Sequence, residues 1–276
     1  MIPFTKAHAC GNDFLIVPEE AALSADGDLA ALTRRLCART TGVGADGVEF
    51  FSWSAPPGLG QRSGRIHLRN ADGSIAEISG NGTRCVAAWM ADALNAQPGD
   101  SLTIETDAGS RICRINARSG QTVDITTDMG VPKFAPHTLK LIGGADVVGV
   151  EVSIGNPHFV LLVDTADFSV AKRSWTSLGE EICVHRDFPQ QANVEFVRVV
   201  NDHEIEIRIF ERGVGPTSSS GTGTSAAATA VLALRRCISP LHVIAPGGAQ
   251  TVAWNGPGTE LCLTGPAALI ARGEAW

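Results

Sequence analysis

No two cysteines of this 276-residue chain stand at Cys-x-x-Cys spacing, and none has a histidine partner at metal-ligand spacing. The seven cysteines are scattered and odd in number. They read as free thiols, buried or reactive, of a reducing cytosol; no metal is expected, and a cytoplasmic protein is. Lys and Arg nowhere cluster, and the formal net charge is −7, which argues against nucleic acid or an anionic membrane as partner. No run approaches eighteen apolar residues, so no spanning helix is expected. The opening MIPFTKAHACGNDF lacks the apolar core of a signal peptide. A strand–GxGxxG–helix unit and a P-loop lysine are both missing, which argues against a nucleotide. Charged residues make up only 18% against 44% hydrophobic, which weighs against disorder, and the length suffices for two domains with real cores.

What is there is mostly short β-rich runs. Phe14–Val17, Val48–Phe51, Arg65–Leu68, Ser101–Glu105, Arg111–Asn116 and Val123–Thr127 predict strands in the first half. Val147–Ser153, Phe159–Val163, Asn193–Val199, Glu204–Phe210, His242–Ala245 and Leu261–Leu263 do so in the second. Alternation is partial, as in sheets covered on one face. Helical patterning is confined to Ala30–Arg39, Thr83–Leu94 and Thr224–Leu234. The last two are Ala-rich and apolar on nearly every side, which places them at the centre of their lobes. Gly, Ser and Pro mark loops at Ser54–Gly64 and Asn116–Gln121, and the latter is the expected boundary.

The chain also repeats itself. SGNGTRCVAA begins at Ser79 and SGTGTSAAA at Ser220, 141 positions on; GNDF begins at Gly11 and GNPH at Gly155, 144 positions on. Two nearly equal offsets imply a duplication. The expected fold is therefore α+β, with two pseudo-symmetric lobes, each a mixed β-sheet rolled around a central helix, and a ligand cleft between them. Residues 1–117 form one lobe, rejoined by 266–276, and 118–265 form the other.

Ser-Gly-x-Gly-Thr ahead of an apolar helix suits a small anion. The glycines turn tightly and expose bare amides, and the helix start adds unsatisfied N–H groups and the positive end of its dipole. Asn12 and Asn156 hold equivalent places in the repeat. Each can serve its own turn, or present a donor and an acceptor to a zwitterion; both readings stay open. Glu211 and Arg212, just ahead of the second glycine turn, suit an ammonium and a carboxylate. His8 and His158 are candidate bases, with orientation of a loop or ligand the expected role of His158. Cys10 borders the Asn12 turn, and Cys85 falls on the apolar face of the first central helix. Asp46 and Asp72 are expected to cap their glycine-rich turns.

FTKAHACGNDF at 4–14, TGVGADG at 41–47, RNADGSIAEISGNGTRC at 69–85, GNPH at 155–158, NVEF at 193–196 and ERGVGPTSSSGTG at 211–223 together resemble the diaminopimelate epimerase family over essentially the whole chain. The resemblance implies a cofactor-independent epimerase of lysine biosynthesis, without pyridoxal phosphate, acting on a small zwitterionic amino acid, with room for a homodimer. It carries substrate contacts to Asn12, Asn70, Gly80, Asn81, Asn156, Asn193, Glu211, Arg212, Gly221 and Thr222. The family's two catalytic cysteines, one per lobe, fall on Ser79 and Ser220. A serine hydroxyl is a far weaker acid than a thiol, and ionising it needs an adjacent base. A helix dipole, worth about 0.3–2 kcal/mol, cannot close that gap. The readings left open are cysteines replaced by serine to hold a ligand, a serine-bearing epimerase, and an isomerase or dehydratase of a related carboxylate. The non-enzyme rival is an amino-acid-binding homologue that lost its acid–base pair.

Overall fold

The computed structural model describes residues 1–25, 27–54, 62–76 and 78–276. The chain forms two compact units, Met1–Asp128 with Thr264–Trp276, and Met129–Leu263. Where the sequence placed the boundary, Gly120 makes a turn of positive φ inside the first unit, between paired strands. Of the loop expected at Ser54–Gly64, residues 55–61 lie outside the described ones, and Ser63 and Gly64 already belong to a strand.

The first unit runs β1 (Ile2–Ala9), β2 (Asn12–Pro18), α1 (Glu19–Ala25), α2 (Leu29–Cys37), β3 (Gly47–Trp53), β4 (Ser63–Asn70), β5 (Ile75–Ala76), α3 (Gly80–Ala93), β6 (Ser101–Thr106), β7 (Gly109–Ser119) and β8 (Thr122–Asp128). The second runs β9 (Lys133–Lys140), β10 (Asp146–Ser153), β11 (Pro157–Leu162), α4 (Trp175–Cys183), β12 (Asn193–Asn201), β13 (Glu204–Glu211), β14 (Gly215–Thr217), α5 (Gly221–Ala233), β15 (Leu241–Ala245) and β16 (Gly248–Trp254). A last strand, β17 (Leu261–Ala275), starts in the second unit and finishes in the first.

In the first unit the strand pairings β1–β2, β2–β3, β3–β4, β4–β6, β6–β7, β7–β8, β8–β17 and β17–β1 close on themselves, so the mixed sheet is a barrel. Closure leaves no open edge in that ring. β2 runs parallel to β3, and β4 parallel to β6; the other registered neighbours in the ring are antiparallel. In the second unit β11 runs parallel to β12, β12 antiparallel to β13, and β13 parallel to β15, the same alternation.

Helix α3 packs against β1, β2, β6, β7 and β8, and Cys85, Val86, Ala87, Ala88, Met90 and Ala91 are fully buried. α5 packs against β10, β11, β12, β13, β15 and β16, with Ala226, Ala227, Ala228, Ala230 and Val231 fully buried. Small side chains let strands approach on every side, which explains why these helices lack a polar face. Each helix stops on a left-handed residue just past its C-cap, Asn95 (φ 49°) after α3 and Arg235 (φ 54°) after α5.

Candidate active site

Ser79 and Ser220 are the N-caps of α3 and α5. Both are extended, at φ −127°, ψ 119° and φ −145°, ψ 130°. The Ser79 Oγ accepts from the Gly82 amide at 3.0 Å, and the Ser220 Oγ from the Gly223 amide at 3.1 Å. These helices therefore begin at Gly80 and Gly221, a turn earlier than hydrophobic periodicity indicated, because glycine and asparagine carry no apolar signal. Each hydroxyl gives one of its two acceptor lone pairs to the cap, and its hydrogen takes no part in that bond. Ser79 is half-buried and Ser220 buried, with the Thr222 Oγ1 at 3.3 Å from the Ser220 Oγ.

The asparagine turns dock on the helix starts through equivalent residues in both units, with donor and acceptor exchanged. The Asn81 Nδ2 donates to the Asn12 Oδ1 at 3.2 Å, and the Asn156 Nδ2 donates to the Thr222 Oγ1 at 3.4 Å. Asn12 is fixed from behind by Asp46, whose Oδ2 accepts from the Asn12 Nδ2 at 2.7 Å and from the Asp13 amide at 3.1 Å. Asp46 thus reaches back to the first turn instead of capping its own. Asp72 does cap locally, accepting from the Ser74 amide at 2.8 Å. Arg39 bridges Asp46 at 2.7 Å and Asp13 at 2.8 Å, and Lys6 lies 2.9 Å from Asp13. Burial raises the Asp13 pKa, but its bonds to Arg39 and Lys6 outweigh that and hold it below the usual carboxylate range.

In the second unit Asn193 donates to the Pro157 carbonyl at 3.2 Å, and its Oδ1 accepts from the Arg212 amide at 2.9 Å. Asn156, His158, Asn193, Arg212, Ser220 and Thr222 are thereby joined in one region of that unit. In the first unit Asn81, which follows Ser79 and Gly80 at the helix start, meets Asn12. Asn70, which ends β4 opposite Gly47, bonds its own turn through Ser74 at 3.1 Å. Arg212 and Glu211 are half-buried, and the Arg212 Nη1 donates to the Gln190 carbonyl at 3.0 Å. Cys10 is buried with φ 52°, next to Gly11 at φ 82°. Burial pushes the Cys85 thiol far up, the Cys113 thiol up to about 11 and the Cys37 thiol up to about 12, so none of these three offers a thiolate near neutral pH.

Two buried carboxyls complete the region, and sequence reasoning passed over both. Glu49 on β3 and Glu195 on β12 are fully buried, each within a Val-Glu-Phe run. A Cβ added at Gly82 would lie 1.9 Å from the Glu49 Oε1, and one at Gly223 would lie 2.9 Å from the Glu195 Oε1. The third residue of each helix is thus a glycine with a carboxyl tucked against it. Glu195 is held by His158, whose Nδ1 stands 2.8 Å from Oε1 and whose Nε2 stands 2.9 Å from the Asn156 Oδ1. Burial raises the Glu195 pKa, opposed by His158. Among the described residues, neither oxygen of Glu49 has a hydrogen-bond partner. Burial alone pushes its pKa up to about 8.

Two consequences can be measured. Gly82→Ala should destabilise the fold by about 2 kcal/mol, although alanine is the better helix former by about 1 kcal/mol. Denaturant unfolding checks it; Glu49→Ala in the Gly82→Ala background should recover part of the loss, and a stabilised Gly82→Ala contradicts the packing. The second concerns pH. With its folded-state pKa raised from 4.5 to about 8, Glu49 keeps its proton in the folded chain where the unfolded chain loses it. Stability from this group is full below about pH 4.5, is lost as pH rises and levels off above about pH 8, a loss on the order of 5 kcal/mol at most. Glu49→Gln should remove that component from the pH dependence of the melting temperature, leaving the Glu195 part, which has the same sign.

The fold is one already seen among epimerases. A predicted epimerase from Pseudomonas aeruginosa superposes with a TM-score of 0.73 at 18% identity, covering 99% of both chains. The diaminopimelate epimerase family model matches residues 4–135 and 150–270. Diaminopimelate epimerases from Pseudomonas paraeruginosa and Moorella thermoacetica are each 34% identical, covering 99% and 98% of this chain and the same shares of their own. The chain belongs to the diaminopimelate epimerase family.

Proposed function

We propose that this protein is a cofactor-independent amino-acid epimerase of diaminopimelate-epimerase type, interconverting LL- and meso-diaminopimelate in cytoplasmic lysine biosynthesis. Its two units are the products of a duplication, each a sheet rolled around its buried helix. One observation carries this reading: Ser79 and Ser220, on the positions of the family's catalytic cysteines, are the N-caps of two equivalent helices, with hydroxyls in matching geometry.

In this reading the first-turn amides, beginning at Gly80 and Gly221, and the Arg212 guanidinium hold substrate carboxylate. Asn12, Asn70, Asn81, Asn156, Asn193 and Thr222 set its amide and hydroxyl contacts, and Glu211 takes an ammonium. One serine removes the α-proton and the other delivers a proton to the opposite face. The serines also favour a second reading, an isomerase or dehydratase of a related carboxylate, because one base beside an anion site is enough there.

Proton NMR of diaminopimelate with the enzyme in deuterated water tests the choice. Loss of the α-proton signal with inversion is the expected result. Exchange or elimination without inversion favours the second reading, and binding without any exchange leaves only a binding protein.

A further inference from the structure

We propose that Glu49 is the proton acceptor for the Ser79 hydroxyl, so that the first half-site works as a serine–carboxyl pair. The proposal rests on the epimerase reading above and adds the base that a serine needs and a thiol does not.

The argument begins with what Glu49 lacks. Both its oxygens are buried with no hydrogen-bond partner among the described residues, although buried carboxyls are ordinarily satisfied. A residue kept only for packing would be apolar at this place. Its counterpart Glu195 already has a partner in His158, but Phe14 holds the place of His158 in the first repeat and offers no ring nitrogen. The Glu49 Oε1 and the Ser79 Cβ lie 1.9 Å and 3.2 Å from the one point where a Gly82 side chain would begin. The missing side chain thus leaves the carboxyl and the Ser79 Cβ beside the same small space, with the hydroxyl not hydrogen-bonded to the carboxyl in the resting geometry. The Ser79 Oγ accepts from the Gly82 amide on the other side, which leaves its hydrogen as the free element of the pair.

The step balances without an added reactant. With Glu49 in its ionised form, the minor one at neutral pH and the major one above about pH 8, the Ser79 Oγ takes the substrate's α-proton while its own hydroxyl proton passes to a Glu49 carboxylate oxygen. The Cα–H bond and the original O–H bond break, a new serine O–H and a carboxyl O–H form, and the electron pair stays on the substrate, spread into its carboxylate. In the reverse direction the carboxyl returns the proton through the serine. No free alkoxide forms, which is how a weakly acidic hydroxyl works beside a base.

Two readouts decide it. In deuterated water, Glu49→Gln should slow α-proton exchange at the face served by Ser79 by roughly 100-fold or more. Ser79→Cys in the Glu49→Gln background should recover most of it, since a thiol ionises unaided. Exchange in Glu49→Gln equal to the parent's overturns the proposal. Carbon-13 NMR of labelled glutamate, with the Glu49 signal assigned by its loss in Glu49→Gln, gives the second. Ser79→Ala should move the Glu49 midpoint upward, because the carboxylate formed on ionisation can no longer draw the Ser79 hydroxyl toward it; an unmoved midpoint overturns the pair. If the parent exchanges no α-proton of diaminopimelate, the epimerase reading fails by itself, and the titration still decides whether Ser79 and Glu49 share a proton.

Discussion

Ser79→Cys combined with Ser220→Cys should raise epimerisation of diaminopimelate by about three orders of magnitude or more. Both hydroxyls already sit at helix starts whose amides and dipole favour an anion. Sulfur in place of oxygen corrects the acidity of the reacting atom with little change of shape, and a helix N-terminus lowers a thiol's pKa further. Each single variant should exchange the α-proton of one stereoisomer, since each half-site addresses one face. The double variant should lose about 0.5–2 kcal/mol per helix, because cysteine caps poorly where serine accepts from Gly82 or Gly223. Chiral separation of the product together with thermal unfolding checks both parts. A folded double variant that binds diaminopimelate and epimerises no faster than the parent favours the isomerase or dehydratase reading, with His158 and Cys10 the next residues to replace.

Arg212→Met should weaken diaminopimelate binding by about 2–5 kcal/mol, roughly 30-fold to several thousand-fold. Arg212 follows directly on the end of β13, and its backbone amide is pinned by Asn193 at 2.9 Å, so its side chain departs from a fixed point. Its Nη1 donates to the Gln190 carbonyl at 3.0 Å, and the planar fork of the guanidinium matches a carboxylate. The melting temperature should change little, since the side chain is only half-buried. Calorimetry of diaminopimelate binding measures the effect. Unchanged affinity would mean that Arg212 merely ties down the loop at Gln190.

The helix starts and asparagine turns were legible because they are written twice in short glycine-rich words, which survive a duplication better than strand composition does. The carboxyls behind them were not. Within β3 and β12 a single glutamate between apolar residues reads as one outward position of an alternating strand, whereas here both faces of the strand are covered. The repeated Val-Glu-Phe at 48–50 and 194–196 was the available signal. β17 continues to Ala275 although only Leu261–Leu263 patterned as strand; its pairing with β1 from Ala268 to Ala275 overrides Gly273. α4 was hidden by Gly179, a poor helix former required because a Cβ there would stand 2.6 Å from the Phe210 side chain. α1 was hidden by its length, a seven-residue helix following Pro18.

The central claim is that two separate groups, one in each unit, serve opposite faces of one α-carbon. Deuterium content at early turnover tests it most directly, starting from a single stereoisomer of diaminopimelate in deuterated water and analysing product and unreacted substrate separately by mass spectrometry. With two groups, the inverted product carries deuterium delivered to its new face while the recovered substrate keeps its protium. Deuterium accumulating equally in the recovered substrate, or a product that retains protium, would mean that a single group works both faces, and would contradict the account.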